Sequence, residues 1–429
     1  MSTRRAVSNE RPRERAALVH LVTRAPRPAD PDLLLDELAG LARAAGAEVL
    51  VRVVQERPMP DPATLIGRGK AAELARACDQ HALDLVIVDN PLTPAQARNL
   101  EQRCERRVVD RTELILDIFA RRARTHEGRL QVELAQLQYR LPRLTGSSDA
   151  LSRLGGGIGT RGPGETKLET DRRRIRHRIA ALEAEIDDVR RRRAYLRTRR
   201  GRSDVPTVAL VGYTNAGKTT LFNRLTGAKA EASDALFVTL DPLMRRVKLP
   251  DARQILLTDT VGFLDRLPHQ LVAAFHATLE EVAAADLLVH VIDAGAPDRA
   301  RRAEAVRRVL HEVGAARVPM IDAFNKIDQL DETAIERLLA GDPEAVLISA
   351  RQGTGAEALI AEIVRRLAMD VQRVSFDLDE TRDVDRRLVA DLYRHGHVLR
   401  HVTANARITI EAEVPRRWAR RLARAKVPA

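Results

Sequence analysis

The densest chemistry in the chain lies in Gly212-Tyr213-Thr214-Asn215-Ala216-Gly217-Lys218-Thr219, followed by Thr220. Glycines at this spacing let backbone N–H groups curl around a phosphate; the lysine reaches the β- and γ-oxygens, and the Thr219 hydroxyl ligates Mg²⁺. Asp259-Thr260-Val261-Gly262 adds a carboxylate for the Mg²⁺ shell and a glycine amide able to meet a γ-phosphate. Asn325-Lys326-Ile327-Asp328 and Ser349-Ala350 supply a base pocket. The Asp328 carboxylate accepts from both the ring N–H and the exocyclic amine of guanine, whereas adenine presents a mismatched donor and acceptor pattern there. Together these residues predict GTP as substrate and Mg²⁺ as cofactor.

Such groups work only if a sheet brings them to one edge. Apolar runs at 208–211, 255–257, 287–293, 323–324 and 346–348 precede the chemical segments, and strand-then-loop order of this kind predicts a parallel sheet. The span 205–368 thereby resembles the Ras-like P-loop GTPases. The resemblance implies that Thr239, in Phe237-Val238-Thr239-Leu240-Asp241-Pro242, is the switch I threonine on Mg²⁺ and γ-phosphate. It also implies that Lys218, Thr239 and Gly262 are the groups closest to catalysis. Phe263 stands where Ras-like enzymes orient the attacking water with Gln, and a phenyl ring neither donates nor accepts a hydrogen bond. Hydrolysis by the chain alone is therefore expected to be slow. Asn215 matches a P-loop Asn that helps hold K⁺ in some relatives with a hydrophobic residue at that place; an Asn that simply suits a turn is the alternative.

The remainder of the 429 residues exceeds one core and predicts several domains. Residues 1–15, Arg-rich with Ser and Pro, are expected to be a disordered tail. Residues 16–111 alternate apolar strands (17–22, 49–54, 85–88, 108–109) with helices starting near Pro31, Gly69 and Pro94, which predicts a small α/β domain with a largely parallel sheet. In 112–200 the stripes Leu130, Leu134, Leu137, Leu141, Leu144 and Ile175, Ile179, Leu182, Ile186, Val189 flank a stretch holding Gly155, Gly156, Gly157, Gly159, Gly162 and Gly164. That pattern predicts a helical hairpin with a glycine-rich tip. Residues 371–429 read as a small α+β domain, with strands at 374–378 and 407–411 and a helix from Asp383. The fold class expected is thus multidomain α/β: an N-terminal α/β domain with a helical hairpin, a central Ras-like P-loop GTPase domain, and a small α+β C-terminal domain.

The net charge is +12, and residues 171–202 hold thirteen Arg against five acidic residues, which suits a polyanionic partner as well as a solvated helix face. No apolar stretch is long enough for a membrane helix, so a soluble, cytoplasmic protein without a membrane span is expected; a monomer is expected as well. Cys78 and Cys104 form no CxxC pair, which supports neither a disulfide framework nor a zinc site.

The tip string Gly155-Gly156-Gly157-Ile158-Gly159-Thr160-Arg161-Gly162-Pro163-Gly164-Glu165-Thr166-Lys167, the upstream Leu65-Ile66-Gly67-Arg68-Gly69-Lys70 and Asp110-Arg111-Thr112-Glu113, and the Phe263 switch resemble the HflX family of ribosome-associated GTPases over nearly the whole chain after the tail. The resemblance implies binding to the large ribosomal subunit and its rRNA, with Arg161 and Lys167 in the tip as RNA contacts. It further implies ribosome-stimulated hydrolysis and the splitting or rescue of stalled ribosomes under stress. Two rival readings are an ATP-driven RNA remodelling factor and a nucleotide-controlled RNA-binding signalling module. Asn325-Lys326-Ile327-Asp328 opposes ATP at the central domain, while ATP at the N-terminal domain stays open.

Overall fold

A computed structural model describes residues 13–23, 30–145, 167–200, 205–230, 236–237, 239, 242–249, 254–265, 281–368, 371–404 and 406–415. Two compact units arise: residues 1–190 with 231–241 and 264–278, and residues 191–230 with 242–263 and 279–429.

In the first unit, β1 (Glu14–Val22), β2 (Ala47–Glu56), β3 (Leu85–Val88) and β4 (Arg107–Asp110) form an all-parallel sheet in the order β2-β1-β3-β4. The run from Ala16 to Leu21 is buried without alternation, as a strand covered on both faces requires. The connecting helices start where the chain caps them. In α1 (Pro31–Ala44), Asp30 accepts from the Asp32 N–H; α2 is Arg68–Gln80; in α3 (Pro94–Cys104), Thr93 and Gln96 close a reciprocal capping box with Pro94 at the first turn. Cys78 and Cys104 are both buried in the core these helices share with the sheet.

Helix α4 (Arg111–Arg122) follows β4 directly, and α5 (His126–Arg140) and α6 (Lys167–Arg200) form the two arms expected from the leucine and isoleucine stripes. Leu130, Leu182 and Ile186 make the buried seam, with Leu134 and Leu137 against it. The fork of Arg178 meets Glu133 across the arms at 2.7 and 2.8 Å. The first stripe does not continue as one α-helix to Leu144. Pro142 lacks the N–H that the ladder needs, so residues Leu141–Thr145 tighten into a 3₁₀ turn. The glycine-rich tip, including Arg161, lies outside the described residues, as does the side chain of Lys167.

The second unit holds a six-stranded sheet ordered β10-β9-β8-β5-β7-β6, from β5 (Thr207–Val211), β6 (Leu243–Lys248), β7 (Gln254–Asp259), β8 (Leu287–Asp293), β9 (Met320–Asn325) and β10 (Val346–Leu347). It is parallel except for the edge strand β6. Helices α7 (Lys218–Thr226), α8 (Arg299–Glu312), α9 (Glu332–Gly341) and α10 (Ala356–Ala368) accompany it; Leu221 and Phe222 of α7 and Leu359 and Ile363 of α10 share its buried core. Strand β6 was not among the expected strands: its exposed Arg245 and Arg246 hide the alternation.

The C-terminal sheet, β11 (Val371–Asp379), β13 (Arg407–Pro415) and β12 (His397–Ala404), is antiparallel in the order β11-β13-β12, with α11 (Asp383–His395) packed against one face through Leu388, Val389 and Leu392. The edge strand β12 escaped sequence reasoning because it is almost wholly exposed and forms by backbone pairing to β13. Among the described residues no helix is long and apolar enough to cross a membrane.

Candidate nucleotide site

The C-terminal ends of β5, β7, β9 and β10 converge on the segments singled out by residue type. Val211 leads into the Gly212–Thr219 loop, and Gly217 caps α7 with φ +94°, a left-handed conformation natural to glycine. A Cβ at Gly217 would also lie 2.2 Å from the Asn325 amide nitrogen, so two of the predicted motifs touch where only glycine fits.

Lys218 is buried, and its Nζ donates to the carbonyls of Gly212 and Tyr213 at 3.0 and 2.9 Å. Burial pushes its pKa down to about 8, opposed in part by the Asp259 carboxylate. This geometry holds an ammonium ready inside the loop, where an arriving phosphate would face an incompletely compensated cation. Thr219 Oγ1 donates to Asp259 Oδ2 at 2.7 Å. A hydroxyl and a carboxylate side by side are the hard oxygen donors a Mg²⁺ ion requires, and Mg²⁺ fits this pair. Among the described residues no cluster of three His, Cys, Asp or Glu offers a competing metal site.

The switch segment after β7 is zipped to the loop. The Phe263 N–H donates to the Gly212 carbonyl at 3.1 Å, the Thr214 N–H donates to the Phe263 carbonyl at 2.8 Å, and Tyr213 and Phe263 form a parallel bridge. A Cβ on Gly262 would come within 2.7 Å of Thr214 Cγ2 and 3.2 Å of Lys218 Nζ, which explains the glycine there. Phe263 itself is 1% exposed, a core ring rather than a group turned to solvent. The Thr260 hydroxyl, expected beside the nucleotide, instead donates to the Leu210 carbonyl at 2.6 Å and pins β7 to β5; Val261 is buried next to it.

The residues expected to form the base pocket are equally tied together. The Asn325 amide donates to the Ala216 carbonyl at 2.8 Å and accepts from the Ala350 N–H at 2.9 Å, tying three of the motifs together. Ser349 Oγ donates to Asp328 Oδ1 at 2.6 Å and so orients the exposed carboxylate proposed to read guanine. Lys326, at φ +68°, pairs with Asp293 at 2.8 Å.

Supporting residues went unseen in the sequence because their partners are remote. Asp293 holds Lys326, and Arg224 donates to the Arg351 carbonyl at 2.6 Å beneath the Ser349-Ala350 turn. The Arg302 guanidinium lies 5.2 Å from the Tyr213 ring centroid and is itself held by Asp298 at 2.6 Å. Asn215 is exposed with φ +59°, and Thr220 lies in the first turn of α7. Thr239 is half-buried and groups with residues 231–241 in the first unit; its role on Mg²⁺ is carried by the resemblance alone.

Three family models match in succession: a GTP-binding GTPase N-terminal region at residues 33–120, a GTP-binding GTPase middle region at 122–200, and a 50S ribosome-binding GTPase at 207–326. The GTPase HflX of Caldanaerobacter subterraneus subsp. tengcongensis is 48% identical over 94% of this chain and 92% of its own. The GTPase HflX of Escherichia coli K12 is 48% identical over 83% and 84%. Among solved structures, a GTP-binding protein from Sulfolobus solfataricus in complex with GDP aligns over 82% of this chain and 98% of its own, at 25% identity and a TM-score of 0.43.

Proposed function

This chain belongs to the HflX family of GTPases, and we propose that it couples a GTP cycle to engagement of the large ribosomal subunit, splitting or rescuing stalled ribosomes under stress. The hydrolase activity itself, GTP to GDP and phosphate, is that of the family. The observation that carries the ribosomal reading is the match of the nucleotide-binding unit to a 50S ribosome-binding GTPase at residues 207–326. A second feature supports it: α6 carries Arg172, Arg173, Arg174, Arg176, Arg178 and further arginines on a 34-residue arm, a cationic rod able to release counterions from folded RNA.

Within the site, Lys218 and the loop amides neutralise the phosphates, Thr219 with Asp259 and Thr239 would hold Mg²⁺, which would screen the charge building on the β- and γ-phosphates, the Gly262 amide meets the γ-phosphate, and Asp328 reads guanine. With Phe263 buried, no side chain at that position can orient water, so hydrolysis is slow alone and accelerated on the subunit. Arg161 and Lys167 in the tip make the RNA contacts.

Sucrose-gradient co-sedimentation with purified ribosomal subunits tests the partner. Retention on the large subunit is expected with a non-hydrolysable GTP analogue and weaker retention with GDP; equal retention with both, or none with either, overturns the coupling. Replacing residues 155–165 by a short Gly-Ser linker should leave nucleotide affinity intact and abolish subunit dissociation seen by light scattering. Wild-type splitting by that variant would reduce the tip to a spacer.

A further inference from the structure

The first unit contains more than the N-terminal sheet and hairpin. Two short pieces flanking the nucleotide segments, 231–241 and 264–278, belong to it as well, although the chain enters and leaves them from the second unit at Asp241–Pro242 and Phe263–Leu264. What their described residues touch is specific. Phe237 is buried, and its ring meets Phe119 of α4 edge-on with centroids 4.5 Å apart. Leu236 packs over Gly40 of α1, where a Cβ would come within 3.1 Å of its Cδ1. Phe237 takes this seat at φ +57°, a left-handed conformation that is strained for a bulky residue and persists only when its surroundings hold it.

Asp265, two residues past Phe263, is reached by the first residue of the same helix. Arg111 directs one guanidinium nitrogen to the Asp265 carbonyl at 3.4 Å and to Glu37, and the other to Asp89 at 3.0 Å. The residue before it, Asp110, caps α4 by accepting from the Glu113 N–H. It also accepts from the Tyr139 hydroxyl at 2.6 Å and from Arg143 at 3.1 Å, both at the base of the hairpin, where Arg143 stacks on Tyr139 at 3.4 Å. One helix therefore seats both switch-flanking segments on its body and first turn and anchors the hairpin through its cap.

We infer that α4 with its Asp110-Arg111 start is the junction through which the nucleotide-dependent position of the two switch-flanking segments is passed to the hairpin. A shift of Phe237 or of the Asp265 carbonyl loads α4, and α4 cannot move without the cap that holds Tyr139 and Arg143, because a closely packed core transmits displacement rather than absorbing it. The contacts are those of a physical two-ended element, and the inference does not depend on what the hairpin binds.

Hydrogen exchange of the full-length protein, without ribosomes, tests it. Amides of residues 136–145 are followed with GDP and with a non-hydrolysable GTP analogue, in the wild type, in Phe237→Ala and in Tyr139→Phe. The first variant removes the switch-side contact; the second keeps the ring and its stacking on Arg143 but deletes the hydroxyl on Asp110. Coupling predicts a difference of about fivefold or more in wild-type exchange rates between the two nucleotides, falling to within about twofold in each variant while nucleotide affinity stays at the wild-type value. Equal rates with both nucleotides in the wild type, or a difference that survives in either variant, overturns the junction.

Discussion

Two sheets in this chain, one wholly parallel and one parallel but for an edge strand, bring polar side chains to the C-terminal edge of their parallel strands, as strand direction dictates, yet they treat them in opposite ways. At the six-stranded sheet the polar groups are tethered lightly: Lys218 to two backbone carbonyls, Thr219 to Asp259, Ser349 to Asp328. In the proposed reading each of those bonds is exchanged for a phosphate, a metal or a base. At the four-stranded sheet the charges are directed at one another. His20 Nδ1 lies 3.0 Å from Asp89, Arg111 bridges Asp89 and Glu37, and Asp110 accepts from Tyr139 and Arg143, all at or near the buried strand ends. Topology places polar groups at an edge; whether that edge becomes a ligand site or a structural lock depends on whether the charges are left for a visitor or matched internally.

The largest expected effect breaks the lock. Arg111→Met removes the guanidinium that bridges the buried Asp89 and Glu37 side chains, and losing one partner of a buried ion pair costs on the order of 3–5 kcal/mol, so the urea midpoint of the first unit should fall steeply. A midpoint within error of wild type would mean the network is not electrostatically matched. The corresponding change at the open edge should behave differently. Asp328→Asn is expected to leave the unfolding midpoint nearly unchanged, since the residue is exposed, while GTP affinity drops roughly a hundredfold through loss of a charge-assisted pair of bonds of about 2–3 kcal/mol. Retention of affinity in a titration with labelled GTP would remove Asp328 from base recognition.

This contrast also explains what could be read in advance. The convergence of the candidate nucleotide segments was legible because they are contiguous strings whose spacing is fixed by backbone geometry: Gly212 to Thr219, Asp259 to Gly262, Asn325 to Asp328. Their surrounding strands were legible as apolar runs. The lock was not, since His20, Glu37, Asp89 and Arg111 are far apart in sequence and none of them carries a local signal of its partners. For the same reason Asp293 and Arg302, which brace Lys326 and Tyr213, carry no local signal. Strands β6 and β12 were missed because register with a neighbour, rather than side-chain alternation, makes them strands.

A smaller effect sharpens the distinction through pH. Because Lys218 in the ligand-free loop titrates near 8 and a bound triphosphate favours its charged form, nucleotide binding above that pH must take up a proton. GTP affinity measured at pH 9 should be about tenfold weaker than at pH 7, with Asp328→Asn showing the same relative fall from its weaker baseline. In the absence of nucleotide the sign reverses. The unfolded lysine holds its proton to a higher pH than the folded one, so stability of the free protein gains from this group as pH rises from about 8 towards 10.5. An affinity that is flat between pH 7 and 9 would show that Lys218 stays charged in the empty loop.

The smallest expected effect concerns Asn215, where the two readings of one residue separate cleanly. Its φ of +59° lies in the left-handed region that Asn tolerates and Gly tolerates better, so a turn role would be fully kept by Asn215→Gly. An ion role would not be, because the substitution deletes the side-chain oxygen that could join phosphate oxygens around K⁺. Asn215 is exposed at the loop surface, in a position to face such an ion rather than the core. Multiple-turnover hydrolysis in K⁺ is expected to exceed that in Na⁺ by a few-fold, on the order of 1 kcal/mol in barrier, and Asn215→Gly is expected to bring the two rates together at the lower value. A K⁺ preference that is unchanged in Asn215→Gly would assign the ion to other oxygens and leave Asn215 as a turn residue. Equal rates in the two salts with wild-type protein would remove the monovalent ion from the site, and the burden of placing water without a Gln would then fall on groups supplied from outside the chain.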